Sequence, residues 1–363
     1  MLTIVAVAAI KALIVIGMVL NLAGILGWVE RKGSALIQDR IGANRAAIFG
    51  FAGAGLVNTL LADPIKFLTK EDVIPRGVDR LLHTLAPCIS LFPAIVAFAA
   101  VPFGDRLVVG DLVVNLQAVE LDVGVLFLLA MTSLGVYGVV LGGWASNNRL
   151  SLLGGIRGSA QMISYELAMG LAVAAVVLTF GSLDFQEIVR RQGELIGGWI
   201  PAWGILYQPL AFLLLLIAGI AETKRAPFDL PEGESEIVSG YFTEYSGIKY
   251  LMFFMTDFVE IAVVSAVVTT FFFGGWQVPF LTAQGFVFPW GGTLALPHLV
   301  VVLLQVAAYM IKVFVFCCLQ VLVRWTMPRL RYDQLMWFGW KVMLPLGIGN
   351  LVVTAFVLLL VRG

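Results

Sequence analysis

Residues 247–273 read GIKYLMFFMTDFVEIAVVSAVVTTFFF, a run of 27 residues in which only Lys249, Asp257 and Glu260 carry charge. At 1.5 Å per residue a helix of this length reaches roughly 40 Å, enough to cross the ~30 Å hydrocarbon core of a bilayer. An amphipathic helix of a water-soluble protein shows a broad polar face. Here the two acids lie three residues apart on one narrow stripe, and the remainder is apolar. The segment is predicted to be a transmembrane helix holding two carboxylates at membrane depth.

The rest of the chain repeats this pattern. Of its 363 residues 60% are hydrophobic and 13% charged, against about 25% charged in ordinary soluble domains. The mean hydropathy is +0.97. Apolar stretches fall at about 4–29, 81–101, 121–142, 160–180, 206–222, 247–273, 297–323 and 335–361. The first is too long for a signal-peptide core of about 7–15 residues and lacks a small-residue cleavage site, so it reads as a retained helix. The stretch at 46–62 has three glycines and basic flanks, which suits an interfacial helix better than a full span. Asp63-Pro64 then reads as an N-cap followed by proline at the first helical position. The expected fold is all-α: a polytopic integral membrane protein with about eight transmembrane helices and an amphipathic or re-entrant segment near 46–70. It forms a single membrane domain over 1–363, with ordered loops at about 30–80, 143–159, 223–246 and 324–334.

Lysine and arginine are distributed unevenly. Seventeen fall in the loops after the first, third, fifth and seventh spans, and four on the alternate side. By the positive-inside rule the basic loops are cytoplasmic and both termini lie outside. Net charge is zero, which gives no basis for a nucleic-acid partner. Two histidines and three cysteines, Cys88, Cys317 and Cys318, have no spacing that suits zinc or an iron–sulfur cluster. No bound metal is expected. Neither a phosphate loop, a dinucleotide fingerprint nor a nucleophile–base pair is present, so the chain alone is not expected to hold a complete active site or redox centre.

Charge inside the membrane is the main functional signal. Besides Asp257 and Glu260, Glu166 lies about nine residues past Arg157, Glu222 closes the fifth span, and Lys312 lies about twelve residues before Arg324. An isolated charge at the bilayer centre costs at least ~3 kcal/mol, so these groups need protein or water partners. Structural ion pairing is the bland explanation. A proton or ion path is the better default, because carboxyls drawn out of water relay protons near neutral pH. The loop after the fifth span carries Glu222, Asp229, Glu232, Glu234, Glu236 and Glu244 against Lys224 and Arg225. Its acids alternate with Pro, Gly, Phe and Tyr, which points to ordered packing rather than a floppy tail.

The loops also carry recognisable motifs: Glu30-Arg-Lys, Arg40-Ile-Gly-Ala-Asn-Arg45, Ala62-Asp-Pro-Ile-Lys66, Gly143-Trp-Ala-Ser-Asn-Asn148, Leu153-Gly-Gly-Ile-Arg157, Ala160-Gln-Met-Ile-Ser-Tyr-Glu166, Pro227-Phe-Asp-Leu-Pro-Glu-Gly-Glu-Ser-Glu236, Thr243-Glu-Tyr-Ser246 and Pro328-Arg-Leu-Arg-Tyr-Asp-Gln-Leu-Met336. In this order they closely resemble the H-subunit family of proton-pumping NADH:quinone oxidoreductase, respiratory complex I, whose mitochondrial counterpart is NADH dehydrogenase subunit 1. The resemblance covers nearly the whole chain.

It implies a membrane subunit at the junction with the hydrophilic arm, in an energy-coupling membrane, the bacterial cytoplasmic (inner) membrane. A ubiquinone or menaquinone head would pass through its chamber toward the terminal iron–sulfur cluster of a neighbouring subunit. Quinone is then the substrate, the chain itself binds no cofactor, and clusters and flavin belong to partner subunits. Carried over by motif, the quinone chamber would draw on Glu30, Arg31, Arg40, Asp63, Arg225, Phe228 and Asp229. The coupling acids would be Glu166, Glu222, Glu232, Glu234, Glu236, Glu244 and Asp257.

The sequence departs from the family's usual residues in several places. Ala43 stands for Pro, Asn58 for Gln and Lys224 for Asn, and Thr256-Asp-Phe258 replaces Ala-Glu-Tyr. Some members carry a glutamate where Ser133 stands. Two other readings are a homologous subunit of a membrane-bound hydrogenase or of an F420H2- or ferredoxin-linked complex, and a free-standing ion or proton antiporter. The intact Glu30 and Asp63 motifs favour a quinone enzyme over the first. The long ordered loops favour a docked partner over the second.

Overall fold

The computed structural model describes residues 2–44, 47, 55–110 and 112–362, and within these the side chains at 2–5, 109, 112, 234, 235 and 362 are left undescribed. In chain order the helices are α1 (Leu2–Ile37), α2 (Asp63–Thr69, entered through a π-helical turn, Asn58–Ala62), α3 (Arg80–Ala99), α4 (Gly124–Ala145), α5 (Arg149–Phe180), α6 (Phe185–Gln192), α7 (Gly204–Tyr207), α8 (Pro209–Glu222), α9 (Glu234–Ile237), α10 (Gly247–Phe272), α11 (His298–Thr326), α12 (Tyr332–Phe338) and α13 (Leu344–Arg362). A second π turn, Gly339–Met343, joins α12 to α13. Among the described residues seven helices are long and apolar enough to cross a membrane, the last running from α12 through α13. The fold is an all-α polytopic membrane protein. Short antiparallel pairings cap the end opposite the basic loops: β1 (Arg106–Val109) with β2 (Leu112–Asn115), β3 (Leu195–Ile196) with β4 (Ile200–Pro201), and β5 (Leu281–Thr282) with β6 (Gly285–Val287) and β7 (Thr293–Ala295).

The hub is α10, built from the apolar run at 247–273. It packs against α1, α2, α3, α8 and α11. Of its most apolar window 78% is buried inside the protein, against 11% for the last span. The exposed apolar surface of α13 is of a kind that lipid can solvate, whereas the acids of α10 need protein around them.

Four details differ from the sequence expectation. The fifth span, expected over 206–222, is the 14-residue α8, shorter than the other seven. Gln208 leaves helical geometry at φ −133° and Pro209 starts the helix anew; proline at the first turn is tolerated because its missing N–H has no partner there. The break is held from the side, Gln208 donating to Thr179 (3.0 Å) and Thr354 (2.8 Å) and accepting from Asn350 (3.0 Å). Second, the loop expected over 143–159 shrinks to Ser146–Asn148, because Asn148 caps α5 by accepting from the Leu150 N–H. At 32 residues α5 is roughly 48 Å long, so it extends beyond the apolar core.

Third, Asp63 is not a helix cap. Its backbone is helical and its N–H donates to the Asn58 carbonyl, five residues back. The ladder widens into a π turn just before Pro64, which has no N–H to give, and the carboxylate is released for other work. The remainder of the expected 46–70 segment, at 46 and 48–54, lies outside the described residues. Fourth, Lys312 meets no acid among the described residues. It donates to the carbonyls of Phe273 (2.8 Å), Gly275 (3.0 Å) and Gln277 (2.7 Å), closing the C-terminal end of α10, where a cation favourably meets unpaired carbonyls.

The acidic loop is pinned to α5 by close backbone approach. A Cβ at Gly154 would meet Gly240 Cα at 2.7 Å, and Gly240 itself has φ +59° with Pro231 O lying 1.7 Å from any added Cβ. Larger residues at either place would push the loop off the helix.

Candidate functional site

The site begins at the basic-loop end of α1. Glu30 and Arg31 are consecutive on a helix, so they point about 100° apart and serve different partners. Glu30 accepts from Arg225 (2.9 Å) and from Arg324 of α11. Arg31 pairs with Asp63, the carboxylate released by the π turn. Between α1, the π turn with α2, and α10 lies a cavity of about 360 Å³, whose lining includes Gly24, Gly27, Arg31, Asp63, Phe67 and Phe258. It is largely apolar with one ion pair, the chemistry of a site for a flat apolar ligand with a polar edge. The Lys249–Asp72 pair (2.9 Å) and a bond from the Val73 N–H to Ser246 (2.9 Å) tie the segment after α2 to the base of α10.

Behind Phe258 lies a charged layer. The Arg225 guanidinium carbon sits 4.3 Å from the Phe258 ring centroid, a cation–π contact in a desolvated place. Arg225 Nη2 is 3.9 Å from Asp257, and its buried neighbour Lys224 lies 3.3 Å from Asp257 and 3.1 Å from Glu260. Burial alone would lower the Lys224 pKa, but Glu260 and Asp257 hold it above the ordinary lysine range, and Glu30 and Asp257 do the same for Arg225. Lys224 also holds φ +54°, the left-handed region, which costs an ordinary side chain about 1–2 kcal/mol.

Glu232 joins this layer from the loop. Burial first, then the charges of Asp257 and Asp229, push its carboxyl well above the ordinary glutamate range. The native protein thus keeps a proton on Glu232 that an unfolded chain releases near the usual 4.5. Stability is therefore drained as pH climbs from that value through the native one. Glu232→Gln, which mimics the protonated acid, is expected to flatten the fall in melting temperature of the solubilised protein between about pH 5 and 8. An unaltered slope would show that Glu232 is not the group responsible. Burial likewise raises Asp229, opposed by its bond from Arg329 (2.7 Å).

Deeper along α10, Glu260 and Glu222 line a second, enclosed cavity of about 30 Å³ together with Ser90 and Thr132. That is room for about two waters, with polar groups to hold them. Ser133, next on α4, donates to Glu166. An interrupted line of acids therefore runs from Asp257 through Glu260 and Glu222 to Glu166.

Of the expected chamber residues, Arg31 and Asp63 line the larger cavity, and Glu30 and Arg225 lie in the layer behind it. The others are not brought to it. Arg40 is exposed and donates to Gln38 (2.8 Å). Phe228 is buried edge-on against Tyr165, 5.4 Å between centroids. Asp229 holds Arg329. Among the expected coupling acids, Glu222, Glu232 and Asp257 cluster, and Glu166 lies at the end of the line. Glu236 and Glu244 instead bind Arg157 (2.7 Å) and Asn148 (2.6 Å) beside α5. The Glu234 side chain lies outside the described residues. The sequence reading assigns Arg324 only to orientation, and sets Lys224 against the loop acids without assigning it to the site. The clue to Lys224 was a basic residue placed two positions after a buried acid at a helix end.

Comparisons with known proteins point one way. A family model described as NADH dehydrogenase matches residues 10–355. The chain is 44% identical over 357 residues to the second H-type subunit of NADH-quinone oxidoreductase from Geobacter sulfurreducens, covering 98% of each chain. It is 44% identical over 349 residues to NADH-quinone oxidoreductase subunit 8 of Rhodothermus marinus, covering 96% of each. With the first H-type subunit of NADH-quinone oxidoreductase from Cytophaga hutchinsonii it shares 43% over 333 residues, 92% of this chain and 91% of that one.

Proposed function

The chain belongs to the NADH dehydrogenase family, and from that premise we propose that it is the membrane subunit of a proton-translocating NADH:quinone oxidoreductase that holds the quinone chamber and starts the coupling path. The cavity between α1, α2 and α10 receives the quinone. Its apolar wall takes the ring and the start of the isoprenoid tail, and Arg31 with Asp63 marks the polar side. The electron donor is an iron–sulfur cluster of a hydrophilic partner subunit, docked on the basic-loop side, which is the cytoplasmic side. Other membrane subunits continue the proton path, and the complex sits in the bacterial cytoplasmic membrane.

The observation that carries this reading is the juxtaposition of the 360 Å³ cavity with the buried acids, separated by Phe258 and Arg225. Reducing a quinone to a quinol takes up two protons with two electrons. Carboxyls next to the cavity feel that demand as a change of charge in a low-dielectric setting, where it reaches far. Glu260, Glu222 and Glu166 lie in the direction in which it is passed on.

Gly27 offers a direct test. A Cβ there would meet Phe258 at an ordinary 3.9 Å, so a longer side chain grows into the cavity without disturbing the helix. Gly27→Leu is expected to raise KM for a long-tailed quinone about ten-fold, the effect of displacing a buried ligand group. Oxidation of NADH by a small water-soluble acceptor should stay at the wild-type rate. Quinone kinetics unaltered by Gly27→Leu would place the quinone elsewhere.

A further inference from the structure

Lys224 is fully buried, and two carboxylates on successive turns of α10 face it: Asp257 at 3.3 Å and Glu260 at 3.1 and 3.4 Å. The two acids share Lys224 but otherwise have different neighbours. Asp257 lies beside Arg225 and behind Phe258, on the side of the larger cavity. Glu260 lines the small inner cavity with Glu222. The only cation that reaches both is therefore an ammonium on four rotatable carbons, among the described residues. Its backbone holds a left-handed conformation, φ +54°, which suits asparagine better than lysine. The chain thus accepts a strained lysine where a neutral residue with a better backbone fit would serve packing alone.

We propose that Lys224 is a charge-coupling positioning residue, an ammonium shared by Asp257 and Glu260 that shifts toward whichever carboxylate is ionised and so passes the charge state of the quinone side to the inner cavity. The inference rests on the reading of the larger cavity as the quinone chamber. A quinone there takes two electrons from the NADH-linked partner and two protons from its surroundings. A carboxyl on the Asp257 side that gives up a proton becomes negative and draws the ammonium. Glu260 loses its counter-charge and takes up a proton from the inner cavity. No bond to Lys224 is made or broken, and the lysine stays protonated throughout. A short displacement suffices, since both acids are already in contact.

The test uses the whole purified complex in proteoliposomes, with K224N, K224M and K224R compared with wild type. K224N and K224M are expected to lose about ten-fold in protons moved per quinone reduced, the scale of a typical coupling free energy. Uncoupled quinone reduction should fall by only about three-fold. K224R keeps the charge and should recover most of the ratio. A wild-type ratio in K224N or K224M overturns the proposal, and so does a loss of ratio and rate in equal proportion, which marks a structural ion pair. If the single variants do not assemble, K224M/E30Q, compared with E30Q alone, removes one charge of each sign from the buried layer and leaves Asp257 and Glu260 in place. A ratio well below that of E30Q supports the proposal, and a ratio equal to it overturns it. A photoreactive quinone analogue applied to the same preparations separates the two readings. Labelling of the cavity wall in wild type upholds the chamber and leaves the ratio to judge Lys224. Absence of that labelling removes the chamber and this proposal together.

Discussion

Replacing Arg225 by leucine is expected to remove most of the assembled protein from the membrane. Arg225 is the buried cation between Glu30 and Asp257, and its ring contact with Phe258 shields all three from the cavity. Leucine leaves Glu30 with Arg324 and Asp257 with Lys224, a buried layer one cation short. Breaking a buried pair by deleting one partner typically costs about 3–5 kcal/mol, a large part of the ~5–15 kcal/mol that holds a domain together. Native-gel yield and the melting temperature of the solubilised complex read the loss. The double variant Arg225→Leu/Glu30→Gln should recover part of it, with a coupling energy of about 1–3 kcal/mol between the positions. Normal assembly of the single variant would mean that Arg324, which also binds Glu30, carries the charge balance alone.

The second large effect is on coupling. Glu222→Gln keeps the shape of a residue buried at the end of α8 but removes its exchangeable acid proton from the cavity that Glu260, Ser90 and Thr132 also line. Proton translocation and coupled quinone reduction are expected to fall about a hundred-fold, the lower end for removing a placed proton-transfer group, with assembly intact. Glu222→Asp should lie between. Glu166→Gln, at the far side of the same line beyond Ser133, should give the same phenotype. Full coupled activity in an assembled Gln variant at either position would remove that residue from the path.

Much of this was legible in the sequence because a bilayer imposes simple demands. A span must be long and apolar, so seven of the eight expected spans are seen as long helices. The eighth fell short because one residue, Gln208, exchanges backbone for side-chain partners that lie far away in sequence, at Thr179, Asn350 and Thr354. Residues 143–159, with Arg149 and Arg157 between two apolar runs, read as a loop, but their glycines let α4, α5 and the acidic loop approach closely. Acids at depth were visible as charges in apolar runs. Their partners were not, because pairing across helices is set by packing. Asp257 and Glu260 were placed on one face from spacing alone, whereas Lys224 beneath them required the fold. Phe228 and Glu236 carried the right motif and yet face other surroundings.

The most direct measurement is photolabelling of the intact complex with a quinone analogue bearing its reactive group on the ring, followed by peptide mapping. Labels are expected on this chain within 20–31, 59–67 and 248–258 or at Leu91, the segments that wall the larger cavity, and competition by unmodified quinone should remove them. Specific labelling confined to other subunits, or to this chain outside those segments, would contradict the assignment of the cavity as the quinone chamber.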